Sequence, residues 1–281
     1  MDHRRVKKGR KVFEHRRGRW DKDAVVPDVD ALKYFAAAGI TNEVERNAAN
    51  RLILTLKRLQ VWNGLKRCYL FSPTSLAASQ ICAKTLTTAT LVNSPSHSSS
   101  GLAFVAASSQ RMDTGLVWDS TNFTMPSMHM AVSISGIDNS HTSQYFAGIN
   151  TASYRACARE VSTSNKAIQW SSFGTLTCQI DGTGSTDMYG HAVIITATSA
   201  RFIRNTGAMN SSGGSALNAI TNETFTFPIG CTVAAGPVYS NYCTGTFKFF
   251  AVGNSYITAT DNDRMSRYWR AVNEYNQRLG R

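Results

Sequence analysis

Asp113-Thr114-Gly115 is the triplet that aspartic proteases use, so it is the first place to look for catalysis. That chemistry needs two carboxylates sharing one proton, and a second triplet must come from the same chain or from a dimer mate. This chain holds one copy, preceded by Ser108-Ser109-Gln110-Arg111 rather than an apolar strand, so a turn at a strand end is its expected role. Glycosidic hydrolysis takes two carboxylates flanking the bond, about 5 to 9.5 Å apart. No strand-like stretch carries two acids at alternating positions, and Asp181 and Asp187 bracket a Gly/Thr/Ser loop, which is turn chemistry. The chain is therefore read as non-enzymatic.

The histidines His3, His15, His97, His129, His141 and His191 never stand two to four positions from another His or Cys, which is the usual zinc spacing. His129 and His191 lie in strand patterns and are expected to be structural. The six cysteines contain no C-x-x-C, and Cys231 and Cys243 are placed such that they could pair. Asp138 with Asn139, or Asp181 with Asp187, offers oxygens of the kind calcium takes. No calcium loop, phosphate-binding glycine loop or nucleophile elbow accompanies them. Neither a metal nor a cofactor is expected. Sugar sites pair an aromatic platform with polar groups, and Trp118, Tyr145, Tyr154 and Trp170 each stand near Asn, Ser or Gln. Against this, an aromatic in a strand is more often buried than displayed.

Charge gives a stronger signal. Ten of the 30 Lys and Arg residues fall in the first 22 positions, against three acids. The arm carries Arg4, Arg5, Lys7, Lys8, Arg10, Lys11, Arg16, Arg17 and Arg19, with Trp20 as its aromatic. Such a run reads as a contact with polyanion, either nucleic acid or an acidic protein surface; the protein contact is the expectation taken. The whole chain is only 17% charged, where about 25% is usual, so the outer surface of the rest must be largely Ser, Thr and Asn. Apolar runs are too short for a membrane helix, and no apolar stretch follows the basic start as in a secretory signal.

The elements that must position these residues divide the chain into four. Residues 1–27 are the basic arm. Residues 28–65 are helical: Asp30 is expected to cap a short helix that stops at Gly39, and Thr41 or Asn42 starts a longer one, with Val44, Ala48, Leu52, Leu56 and Leu59 as its apolar stripe. Residues 66–258 alternate apolar and polar residues in short runs between Ser/Thr/Asn/Gly clusters, which predicts antiparallel strands in a β-sandwich. Residues 259–281 form a closing helix, capped by Thr260, whose stripe is Met265, Tyr268, Val272, Tyr275 and Leu279. The helices are expected to pack at the edge of the sandwich or on one face.

The ends of the chain resemble a family of bacteriophage virion proteins. In that family a helix runs "LK…LW" into a first strand like "AIYPF", and here Leu52 to Leu59 leads to Val61-Trp62-Asn63-Gly64-Leu65 and Cys68-Tyr69-Leu70-Phe71. A middle "DTGL" passage is matched by Asp113-Thr114-Gly115-Leu116, and the ending "fFvG…Yn..LGR" by Phe249-Phe250-Ala251-Val252-Gly253 and Tyr275-Asn276-Gln277-Arg278-Leu279-Gly280-Arg281. The resemblance covers about 35–281. It departs at Leu70-Phe71-Ser72-Pro73, which replaces "YPF", and in the arm. It implies a concanavalin A/laminin-G-like jelly roll in a tail, fibre or head appendage, with Asp113 in a structural turn.

The expectation is then a virion structural protein, anchored by its arm to other virion proteins, assembling as a homo-oligomer and displaying a lectin-like domain to host surface glycan. Membranes are not expected partners. The alternative is a jelly-roll shell protein whose arm meets packaged nucleic acid. A depolymerase is the third reading, and it lacks an acidic pair.

Overall fold

The computed structural model describes residues 26–124, 127–138, 144–150, 155–160, 168–172, 176–180, 188–196, 199–204, 208–213, 224–234, 238–254 and 262–281. Only the backbone is described for 150, 155–160, 168–172, 176–180, 188, 192, 194–196, 199–204, 208–213 and 262.

Two helices come first. Helix α1 spans Val29–Ala38 and α2 spans Glu43–Arg58. Asp28, not Asp30, caps α1, accepting from the Asp30 N–H at 2.9 Å. Asp30 sits inside the first turn, where it takes Trp62 Nε1 at 2.9 Å and Lys57 Nζ at 2.7 Å. Gly39 adopts the left-handed conformation at φ 65° that ends the helix with little steric cost. Asn42 caps α2 through the Glu45 N–H at 3.0 Å. The stripe of α2 starts one position later than its apolar pattern implies: Val44 is 58% exposed and Glu45 is buried. Glu45 is accommodated because Thr74 donates its hydroxyl to Oε2 at 2.6 Å. Ala48, Leu52 and Leu56 are buried as expected. A short helix α3 spans Leu76–Gln80.

Among the described residues seventeen strands, all but one pair of them antiparallel, build two sheets. The first runs β13 (Ala208–Gly213), β12 (Ser199–Arg204), β11 (Met188–Thr196), β6 (Met128–Ser135), β17 (Gly245–Gly253), β4 (Gly101–Phe104) and β3 (Ser96–Ser98), with β1 (Leu65–Tyr69) also against β17. The second runs β10 (Leu176–Ile180), β9 (Ile168–Ser172), β8 (Arg155–Glu160), β7 (Tyr145–Asn150), β14 (Thr226–Ile229), β5 (Arg111–Val117) and β2 (Thr90–Val92). Strand β15 (Thr232–Ala234) joins β7 in the one parallel contact and pairs with β16 (Val238–Ser240).

The triplet Asp113-Thr114-Gly115 is not a turn at a strand end. It lies within β5, where Val117 faces Thr226 and Asp113 faces Pro228, so β5 bulges between them. Gly115 takes φ 66°. Thr114 Oγ1 donates to Phe227 O at 2.5 Å and accepts the Leu116 N–H at 3.2 Å. A bulge of this kind bends the strand and increases its twist.

Two hydrophobic clusters define three layers. Between the sheets lie Phe71, Phe104, Met112, Leu116, Trp118, Met130, Val132, Phe146, Phe227 and Phe250. On the other side of the first sheet, Ala131, Val193, Phe249 and Ala251 meet Tyr34, Leu52 and Leu56 from the N-terminal helices and Tyr268 and Val272 from α4, Asn262–Arg278. Met128 to Ile134 are therefore buried at every position, as in a strand covered on both faces. The helices pack on one face of this sheet, the second of the two expected placements.

The C-terminal pattern secures this layer. Tyr275 donates to Leu70 O at 2.6 Å, and Asn276 Nδ2 to Ser133 Oγ at 3.0 Å. Gly280 turns the chain at φ 71°. Arg281 then donates to Phe71 O at 2.7 Å and Lys248 O at 3.1 Å. Thr260, the expected cap of α4, lies outside the described residues.

Candidate functional site

The arm residues Arg4, Arg5, Lys7, Lys8, Arg10, Lys11, Arg16, Arg17, Arg19 and Trp20 lie outside the described residues, as does Tyr154. Trp170 is described by its backbone, in β9 opposite Ala158 and Cys178. The two remaining aromatic candidates are corrected. Trp118 is fully buried, its ring 4.6 Å from Phe123 and 6.3 Å from Phe227. Tyr145 is 3% exposed. Trp118 packs in the core between the sheets, where a large aromatic contributes more by burial than on a wet surface, and neither buried ring offers a platform.

Cys231 and Cys243 do not pair; both are free thiols and buried. His129 and His191 are buried on the helix-covered side of the first sheet, rings 5.8 Å apart, with Tyr268 of α4 at 4.6 Å from His191. His129 donates from Nδ1 to Asn254 O at 2.7 Å. Burial holds His129 down at about 4 and His191 well below the ordinary imidazole value, so both are neutral at pH 7. Among the described residues no three His, Cys, Asp or Glu side chains gather as a metal site would require. Asn139, Asp181 and Asp187 lie outside those residues. Among the described residues no helix is long and apolar enough to cross a membrane.

With one sheet face under helices and two facing each other, the outer side of the second sheet has no covering layer among the described residues. Strand β5 supplies it with chemistry. Met112 and Leu116 point into the core, so Arg111 and Asp113 project outward. Arg111 Nε donates to Asp113 Oδ1 at 3.1 Å, and the side chains keep 17% and 23% of their exposure. The guanidinium lies 3.7 Å over the ring centroid of Tyr239 on β16. Burial works against the Arg111 charge, but the hydrogen bond and charge of Asp113 outweigh it and hold the group above the usual arginine value.

The rim beside this cluster is pinned. Asn93 Nδ2 donates to Ser109 O at 3.1 Å and Gln110 Nε2 to Ser94 O at 3.1 Å, joining two turns. Asn93, Ser94 and Ser109 all take left-handed backbone conformations, which cost little for short polar residues. The sequence signal was the alternation Arg111-x-Asp113, overlooked because Asp113 belonged to the protease-like triplet. Tyr239 carries no local signal, since a non-local strand pairing brings it to β5.

No protein-family model and no curated protein matches this chain. Solved structures do. A mutant of Trypanosoma rangeli sialidase with trans-sialidase activity aligns at TM-score 0.51 and 9% identity, over 80% of this chain and 39% of that one. Domain 4 of AbnA, an extracellular arabinanase from Geobacillus stearothermophilus, aligns at TM-score 0.49 and 8% identity, over 73% of this chain and 98% of that domain. The chain thus spans about two fifths of the sialidase it matches. At such identities the likeness concerns the fold alone, and that fold is a lectin-like β-sandwich of two sheets with terminal helices.

Proposed function

We propose that this chain is a non-enzymatic structural protein of a bacteriophage virion, held to the particle by its basic arm and helical layer and presenting the second sheet to host surface glycan. The observation that carries this reading is the two-sidedness of the sandwich. One side is closed by helices, while the other holds an arginine, a carboxylate and a tyrosine on a sheet that no layer covers among the described residues.

The anchoring side has its own support. Asn50, itself buried, accepts the Asp28 N–H at 2.8 Å and donates to Val26 O at 3.3 Å, fixing the point where the arm leaves. Immediately beyond it Val26, Val29 and Leu32 are exposed by 83%, 59% and 44%. An outward helix face is normally polar, so a basic arm leading into an apolar face suits a partner that is acidic at its rim and apolar within. The low-charge, hydroxyl-rich body suits exchange of hydrogen bonds with sugars.

The arm's charge also favours a second reading, a shell protein whose arm neutralises genome phosphates. A map of the intact particle separates the two. An appendage places residues 1–27 against another structural protein at a restricted site; a shell protein recurs over the whole capsid with its arms on nucleic acid. Finding the arm free of both overturns the anchoring reading.

A further inference from the structure

We infer that Arg111, positioned by Asp113 and Tyr239, is the contact point for a carboxylate-bearing sugar on the outer side of the second sheet. This rests on the glycan-display reading and gives it a ligand class. Guanidinium is a planar fork with five N–H donors. In Arg111 only Nε is engaged: among the described residues the two terminal amino groups take no hydrogen bond. The flat face is held against the Tyr239 ring, which fixes the plane of the fork without using its donors. Two parallel N–H donors in a fixed plane match the two oxygens of a carboxylate, a geometry that an ammonium does not offer.

Preorganisation is what distinguishes this arginine from an exposed one. A free Arg loses rotamer entropy when it is immobilised, and here the ion pair and the stack hold it before any ligand arrives. Asp113 opposes an incoming anion by its charge, so the site favours a ligand that combines a carboxylate with hydroxyls. The carboxylate takes the fork, while Asp113, which accepts one bond through Oδ1, has capacity to accept a sugar hydroxyl. The pinned turns of Asn93 and Gln110 border the cluster and keep the rim from collapsing onto it.

The test uses the full chain and three probes, 3′-sialyllactose, a galacturonic acid trisaccharide and lactose, titrated calorimetrically. The expected result is binding of one or both acidic sugars at least tenfold tighter than lactose, a preference that Arg111→Gln abolishes. Arg111→Lys, which keeps the charge and loses the fork, is expected to lose it too, and unchanged thermal midpoints show that these variants fold. Equal binding of acidic and neutral sugars, or acidic-sugar binding untouched in both variants, overturns the inference and leaves glycan display standing. Absence of binding to every probe, with the chain folded, overturns both.

Discussion

Gly253 ends β17 where the backbone of the first strand passes closest. A methyl group there would meet Gly64 O and Leu65 Cα, atoms of backbone that cannot swing away. The same Gly64 carbonyl accepts the Asn254 N–H at 2.9 Å, so the collision would also loosen the turn that carries the His129 acceptor. Overpacking of this kind costs about 1–3 kcal/mol and occasionally more, and Gly253→Ala is expected at the upper end, read as a lower urea midpoint. Thr114→Val tests the bulge. It removes the hydroxyl that links Phe227 O to the Leu116 N–H, and leaving two buried backbone groups underbonded should cost about 1–3 kcal/mol. Single residues were the least legible part of the sequence. Trp118 and Tyr145 have polar neighbours in sequence, but neighbours in sequence do not say which face of a sheet a ring takes. A bulge shifts that alternation, and β5 has one just before Trp118.

Helices and strands differ in how openly they announce themselves. The stop at Gly39, the Asn42 cap and the stripe of α4 follow from local chemistry, and Met265, Tyr268, Val272 and Tyr275 are buried as their spacing requires. Glu45 breaks the pattern of α2 because its partner, Thr74, is 29 residues away. Short serine-rich strands such as Ser96–Ser98 and Ala208–Gly213 carry no apolar alternation, and only their partners' register defines them. The interface between α4 and the first sheet makes a prediction about acid. His129 titrates at about 4 in the folded protein and at about 6.5 in an unfolded chain. Its stabilising contribution is full above pH 6.5 and is lost as the pH falls from 6.5 to about 4, on the order of 3 kcal/mol. His191, lowered by the same burial, acts with the same sign. Urea midpoints should fall between pH 7.5 and 4.5, and His191→Phe, which keeps a ring against Tyr268, should flatten that fall. A midpoint independent of pH in the parent chain would count against the buried neutral pair.

At the scale of the molecule, the two proposed roles fall on opposite sides of one sandwich, the helical layer against the first sheet and Arg111 on the second. Deleting residues 1–25 is expected to leave the thermal midpoint within about 2 °C, because a segment so basic and so poor in apolar residues has little to bury, while abolishing incorporation into particles. Retention of the truncated chain at parental copy number would sink the anchoring role. The sandwich was legible because alternating runs flanked by two amphipathic helices admit few other architectures. Whether the helices take the edge or a face was not legible: His129 and Ser133 make Met128 to Ile134 look half-exposed, and only the fold buries every position of the run. The contact of Arg111 on β5 with Tyr239 was not written anywhere locally.

Arg281 and Phe71 are 210 positions apart, and Tyr275 and Leu70 are 205 apart. On the ribosome this distance becomes time. Strands made early present Ala131 and Val193 beneath only the N-terminal part of their helical layer, until the segment from Asn262 onward has emerged. Contacts so far apart close slowly, and bare apolar strands in the interval invite association with their neighbours. Yield of native chain should therefore depend on translation temperature and on holding chaperones more than the finished fold's stability would suggest.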